Sequence, residues 1–86
     1  MRTMSADVWC DIMREVDKAE KQHPEWPEDP IHGAAVVAEE AGEVVKAALD
    51  YIYHGHERQD IRTELIHTAA TCVRMLTNMQ KDTQSS

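Results

Sequence analysis

Apolar and polar residues recur with the period of an α-helix in three stretches, which short polar connections separate. In the first stretch the apolar positions are Val8, Trp9, Ile12, Met13, Val16 and Ala19. This spacing predicts a first helix that Ser5 or Asp7 caps and that runs to about Gln22. The three prolines of segment 23–30 exclude regular structure there, because proline lacks a backbone donor and restricts the residue before it.

The second stretch begins at Asp29, which is predicted to cap a helix with Pro30 at its first position. This helix is expected to run to about Tyr53, and Gly55 would end it in the left-handed conformation that glycine tolerates. Its broad apolar face comprises Val37, Ala41, Val44, Val45, Ala48 and Ile52. Charged residues lie on the opposite side, and Glu40 falls at the boundary between the two faces.

The third stretch predicts a helix from Ile61 to about Gln80, with Asp60 as its cap. Its apolar residues occupy more than one side and include Leu65, Ile66, Ala69, Ala70, Cys72, Val73, Leu76 and Met79. A helix that is apolar nearly all round is buried from several directions, and a chain of 86 residues is too small to cover it alone. We therefore predict a single all-α domain over residues 1–86, with 1–4 and 82–86 frayed, that forms an oligomer.

Charge and cysteine content narrow the class of protein. The formal net charge of -7 argues against a nucleic-acid polymer as partner, because such binding needs a basic face. Cys10 and Cys72 are too few for a disulfide framework, and both are predicted to be buried, reduced thiols. The N-terminus lacks the apolar region of a signal peptide, and no apolar run approaches the roughly 20 residues of a membrane span. These features predict a cytoplasmic protein with no membrane partner.

The candidate chemistry lies in the acidic run AEEAGEVVKAALD of the second helix, which contains Glu39, Glu40 and Glu43. The third helix contributes a second pair, Glu64 and His67, at the helical spacing i,i+3. An unpaired carboxylate among apolar neighbours is costly, so the second pair needs compensation. A divalent cation shared between the two helices would supply it.

Each candidate residue also has a purely structural interpretation. EExxE alone is typical of an acidic helix surface, and His67 could be a core histidine bonded to a backbone carbonyl. Lys46 is either a surface lysine or a phosphate contact on the carboxylate side of the helix. Trp26 either closes the loop over the bundle or stacks on a base.

The sequences AEEAGEVVKAALDYIYHG and ELIHTAATCVRML resemble those of the MazG-like, all-α nucleoside triphosphate pyrophosphatases. The family signature is EExxE, a spacer and then ExxD, and the likeness covers most of the chain. Glu39, Glu40 and Glu43 match its first half, and Glu64 matches the start of the second. His67 stands where the family usually has aspartate. Either His67 binds a softer metal such as Mn²⁺, or three glutamates suffice and His67 holds water or phosphate.

The resemblance implies cleavage of a (deoxy)nucleoside triphosphate between its α- and β-phosphates, which yields a monophosphate and pyrophosphate. It implies that the ligands of Mg²⁺ or Mn²⁺ are Glu40, Glu43, Glu64 and His67. Glu39 would bind a further metal or activate the attacking water. We expect Lys46 to assist catalysis at the phosphates and Trp26 to bind the substrate with it. Family members form homodimers or homotetramers, so a three-helix protomer would complete four-helix-bundle-like cores by oligomerisation.

Two other functions fit the same residues. Glu-x-x-His is also the ligand pattern of di-iron or di-manganese carboxylate bundles, and a dimer of this chain would supply two copies. Those sites do not call for an EExxE cluster on the neighbouring helix. The remaining alternative is a non-catalytic helical interaction module with an acidic face. Such a protein would neither bind metal nor turn over nucleotides.

Overall fold

The structure is a computed structural model that describes residues 6–85, with side chains described for residues 6–81. Its helices are α1 (Ala6–Gln22), α2 (Pro30–His54) and α3 (Arg58–Ser85), and this part of the chain contains no strand. The predicted all-α class and the three-helix order are confirmed. Residues 1–4, which were predicted to fray, lie outside the described range.

The start and end of α2 follow the predicted local chemistry. Asp29 has an extended backbone, and its carboxylate accepts a 2.9 Å hydrogen bond from the amide of Ile31. Pro30 fills a position whose amide would have no helical partner. Gly55 takes the left-handed conformation at φ 69° and ψ 19°, and its amide donates to the carbonyl of Asp50.

The bounds of α3 differ from the prediction at both ends. The helix begins at Arg58, so Asp60 lies inside the first turn and does not precede it. There its carboxylate faces the positive end of the helix dipole. At the other end the helix continues to Ser85, past the predicted end at Gln80, because no glycine or proline interrupts this polar segment.

Helix α3 lies between the other two helices. It packs against both α1 and α2, which make no close backbone approach to each other in the described part of the chain. The α1–α3 interface forms the core, in which Ile12, Val16 and Ala70 are buried. Around them pack Val8, Met13, Ile66, Ala69 and Val73. Within the described range, no helix combines the length and the apolar character needed to cross a bilayer.

Three predictions for α1 and the cysteines are wrong in detail. Trp9 belongs to the predicted apolar stripe but is 52% exposed, whereas Ile12 and Val16 of the same stripe are buried against α3. Cys10 is exposed and Cys72 is only half-buried, so neither is a fully buried thiol, although both are free. Asp7 lies in the first turn of α1 and does not precede it, and the other predicted cap, at position 5, lies outside the described residues.

The face of α2 that packs on α3 is rotated from the predicted one. Its buried and half-buried residues include Gly33, Val36, Val37, Glu40, Val44, Ala47 and Ala48. Ala41, Val45 and Ile52 belong to the predicted apolar face but are exposed. The rotation turns Glu40 toward α3 and leaves an apolar strip of α2 uncovered.

Candidate metal centre

Two helices bring together three of the predicted metal ligands. Glu40 projects from α2, and Glu64 and His67 lie one turn apart on α3. One ligand atom of each residue lies within 4.8 Å of the others, and no further histidine, cysteine or carboxylate of the described residues joins this group. All three residues are half-buried, and 22% of the Glu64 side chain is exposed. The side chains of the i,i+3 pair on α3 and of Glu40 on α2 therefore lie together, as the sequence predicts.

The imidazole of His67 lies between two carboxylates. Its Nδ1 is 3.2 Å from Oε1 of Glu64, and its Nε2 is 3.5 Å from Oε1 of Glu15 on α1. Within the described range, no lysine or arginine forms an ion pair with Glu15, Glu40 or Glu64. Three helices thus each direct a carboxylate toward one histidine, and the cluster carries excess negative charge.

Glu15 was not predicted to be part of the site. The sequence pattern places it on the polar face of the first helix, beside the buried Val16. The available signal was its spacing: Glu15 lies one turn after Ile12 and one turn before Ala19, at the edge of the apolar stripe. A glutamate at such an edge is typical of a solvated face, so only the packing of α1 on α3 distinguishes it.

The other predicted residues of the acidic run lie outside the cluster. Glu39, Glu43 and Lys46 are all exposed. Residue 43 follows residue 40 by about 60° around the helix axis, enough to turn the Glu43 side chain away from α3. The predicted four-ligand set is therefore reduced in this structure to Glu40, Glu64 and His67.

A groove with a volume of about 400 Å³ opens beside the cluster. Helices α1, α2 and α3 all line it, and so do residues of the loop at 23–27. Glu15, Glu40 and His67 lie on its wall, together with Trp26 and Arg74. The groove therefore joins the metal-ligand candidates to the predicted substrate-binding tryptophan.

Trp26 is anchored in this groove by contacts from two helices. A Cβ atom at Gly33 would lie 3.2 Å from the indole Nε1, so only glycine allows this close approach without a shift. The guanidinium of Arg74 lies 5.3 Å from the centroid of the indole ring, in cation–π range. These contacts favour the structural interpretation, in which Trp26 closes the loop over the bundle, although its partners were not identified from the sequence.

Arg74 is the second residue of the site that the sequence pattern did not single out. It is a charged residue on a helix with many apolar positions, and it is only 8% exposed. The argument that identified Glu64 applies equally to Arg74, because a buried charge needs compensation whatever its sign. Arg74 receives that compensation from Glu20, whose Oε1 accepts a 3.3 Å hydrogen bond from Nε.

The donors of the cluster fit a divalent cation. Two carboxylates and one imidazole are suitable ligands for Mn²⁺, whereas Mg²⁺ prefers an all-oxygen set that includes several waters. A metal-ligating histidine usually directs its other ring nitrogen to a carboxylate, and Glu15 and Glu64 flank the ring of His67 in this way. The residues present are therefore compatible with Mn²⁺ and, with added water ligands, with Mg²⁺.

Comparisons of the chain with protein-family models, with curated proteins and with solved structures give no match. None of the three comparisons therefore bears on the chemistry of the groove.

Proposed function

We propose that this protein is a metal-dependent pyrophosphohydrolase of (deoxy)nucleoside triphosphates. The observation that carries the proposal is the convergence of Glu40 on α2 with Glu64 and His67 on α3, within 4.8 Å and beside a groove. The resemblance of the EExxE and ELIH segments to MazG-like enzymes supports the same reaction. The substrate would be cleaved between its α- and β-phosphates, with a monophosphate and pyrophosphate as products.

The residues of the cluster would have different roles in this hydrolysis. Glu40, Glu64 and His67 would hold the cation, and Glu15 would orient the imidazole of His67 from the other side of the ring. When bound, Mg²⁺ or Mn²⁺ would screen the phosphate charge and lower the pKa of an attacking water. The excess of carboxylates around His67 is the feature of the chain that favours a cation at this position.

In this proposal, three exposed residues of α2 act from the solvent side of the helix. Glu39 and Glu43 lie on the solvent side of the helix, where they could hold a second cation or activate water. Lys46 lies about one turn beyond Glu43 and is a candidate for phosphate contact. Trp26 lies along the groove from the cluster and is a candidate for base binding.

The proposed assembly is a homodimer or a dimer of dimers. Large apolar side chains remain exposed on one side of α2, where Val45 is 60%, Leu49 50% and Ile52 66% exposed. On α3, Leu65 and Leu76 are also exposed. Exposed apolar area of this extent on so small a chain is typical of an interface, and a second copy would complete a four-helix arrangement.

A carboxylate-bridged di-iron or di-manganese centre is the second candidate. Glu15 favours it, because it adds a third carboxylate beside the Glu64–His67 pair. In that case a pair of chains would provide the ligands for two redox-active metals, and nucleotides would not be substrates.

The test is to incubate the purified protein with each common ribo- and deoxyribonucleoside triphosphate in Mg²⁺, in Mn²⁺ and in a chelator. Chromatography then distinguishes monophosphate plus pyrophosphate from diphosphate plus phosphate. We expect monophosphate and pyrophosphate, formed only with the metals. An oxidised-iron absorbance with aerobic Fe²⁺, together with intact nucleotides, would contradict the proposal and favour the di-iron centre.

A further inference from the structure

Arg74 occupies an unusual position, because its side chain is about nine-tenths buried and yet the residue lines the groove. Its Nε donates to Glu20, its Nη2 donates to the carbonyl of His23, and its Cζ lies over the ring of Trp26. These contacts fix the fork of the guanidinium, and Glu20 compensates its charge.

One nitrogen of this fixed guanidinium remains available. Among the described residues, no hydrogen bond engages Nη1 of Arg74, which carries two N–H donors. In the same part of the chain, every fully buried side-chain nitrogen or oxygen has a partner. Nη1 is therefore not sealed in the protein, and since Arg74 lines the groove, its free donors are available to a ligand there.

The distance between Arg74 and the cluster suits a nucleoside. Arg74 follows His67 by two turns on the same face of α3, which is about 10.5 Å along the helix axis. A triphosphate held at the cluster would direct its sugar and base along the groove toward Trp26 and Arg74. Because Glu20 already compensates the guanidinium, Nη1 is better suited to a neutral acceptor than to a second anionic group.

We propose that Arg74 selects nucleotides whose base carries a keto oxygen at C4 of a pyrimidine or at C6 of a purine. A guanidinium is a donor only, so it pairs with O4 of uracil or thymine and with O6 of guanine or hypoxanthine. Cytosine and adenine carry an amino group at the same position, so Nη1 would there face a donor and lose this hydrogen bond. This inference rests on the proposed function, because it places the triphosphate at Glu40, Glu64 and His67.

The experiment compares two pairs of substrates that differ in one group each: UTP with CTP, and ITP with ATP. We expect kcat/KM to favour the keto member of each pair by about tenfold or more, as for a hydrogen bond to a charged donor. In Arg74→Gln, whose amide both donates and accepts, the preference should fall to about twofold or less. Arg62→Gln is the matched control, because Arg62 is also an α3 arginine paired with a carboxylate but does not line this groove. It should retain the wild-type preference.

Equilibrium binding of the same four nucleotides by calorimetry separates this inference from the proposed reaction. Hydrolysis of all four at equal kcat/KM would overturn the role of Arg74 and leave the proposed function standing. Tighter binding of UTP than CTP without hydrolysis would support Arg74 and contradict the reaction. Absence of both binding and hydrolysis would overturn both. If Arg74→Gln does not fold, equal kcat/KM values of the wild type for the two members of each pair would still overturn the inference.

Discussion

His67 stands where the proposed family resemblance predicts an aspartate, and the structure places it between Glu15 and Glu64. An imidazole there separates two carboxylates that would otherwise repel each other. The side chain is 35% exposed, so it is not a sealed core histidine. Its two ring nitrogens each lie within 3.5 Å of a carboxylate oxygen, which places the ring inside the proposed cation site.

We expect His67→Asp to retain pyrophosphohydrolase activity and to shift the metal preference toward Mg²⁺, because an oxygen ligand replaces a nitrogen ligand. Without metal, the new carboxylate would face Glu15 and Glu64, so the free energy of unfolding should fall. Activity in Mg²⁺ and in Mn²⁺, and melting with and without chelator, check both effects. Unchanged metal preference together with unchanged melting in chelator would show that His67 is not part of a cation site.

At the level of structural elements, the loop that carries Trp26 depends on a glycine of the following helix. Gly33 lies in the first turns of α2, and a Cβ there would lie 3.2 Å from the indole Nε1 and 3.4 Å from Cε of Met75. The loop and α2 are therefore packed more closely than a side chain allows. Through this contact α2 sets the position of the aromatic wall of the groove.

We expect Gly33→Ala to displace Trp26 and to raise KM for nucleotide, with the indole emission shifted to longer wavelength in a Trp9→Phe background. The matched control is Gly42→Ala on the same helix, where an added Cβ meets nothing within 4 Å. That control should stabilise the protein by up to about 1 kcal/mol through helix propensity and leave the emission unchanged. Identical emission in the two variants would contradict the proposed packing of Trp26.

Local chemistry explains why some elements were predictable and others were not. Asp29, Pro30 and Gly55 act on backbone groups within a few residues, so the bounds of α2 follow from the sequence. The rotation of α2, which turns Glu40 toward α3 and exposes Val45, depends on packing against α3. Nothing local determines that choice, because the helix has apolar residues on both candidate faces. Periodicity therefore located the helices but did not orient them.

The same distinction applies to the site. Glu64 and His67 were predictable as a pair because they have i,i+3 spacing on α3, whereas Glu40 was predicted from the acidic run and from its place at the boundary between the two faces of α2. Glu15 enters the site only through the docking of α1, and Arg74 only through the folding of a loop over α3. Contacts between residues more than 50 positions apart leave no spacing pattern in the sequence.

The described protomer has a thin apolar interior for its length. Its buried apolar residues are Ile12, Val16, Ala47 and Ala70, and none of its large side chains is fully buried. Apolar side chains on α2 and α3 are meanwhile exposed. A partner that covers those faces would supply the apolar burial that the protomer lacks.

We expect the protein to sediment as a dimer or tetramer at micromolar concentration. Leu49→Ser should weaken assembly by at least about tenfold, because the interface would lose an apolar side chain worth about 1.5–3 kcal/mol. Sedimentation of both proteins over a range of concentrations measures the effect. A compact, stable monomer of the wild type at micromolar concentration would contradict the proposed assembly.

A cation bound at the carboxylates of the cluster would offset part of the formal net charge of -7. It should therefore stabilise the folded protein. A cation that binds only the folded state at ten times its dissociation constant stabilises that state by about 1.4 kcal/mol. For a domain of this size the melting temperature should rise by about 4 °C or more. Thermal melts in millimolar Mg²⁺, Mn²⁺ and chelator test this, and superimposable curves would contradict a cation site in the fold.

The proposed metal-dependent reaction is tested by pyrophosphate release from a triphosphate in Mn²⁺, compared among the wild type, Glu40→Gln and Glu64→Gln. Glutamine keeps the size of each side chain and removes the charge that would hold the cation. Glu57→Gln, which alters an exposed glutamate in the connection between α2 and α3, is the control. We predict that each site variant loses at least about several hundred-fold in rate while it keeps its fold and assembly, and that the control retains the wild-type rate. Wild-type rates in both site variants would contradict the assignment of Glu40 and Glu64.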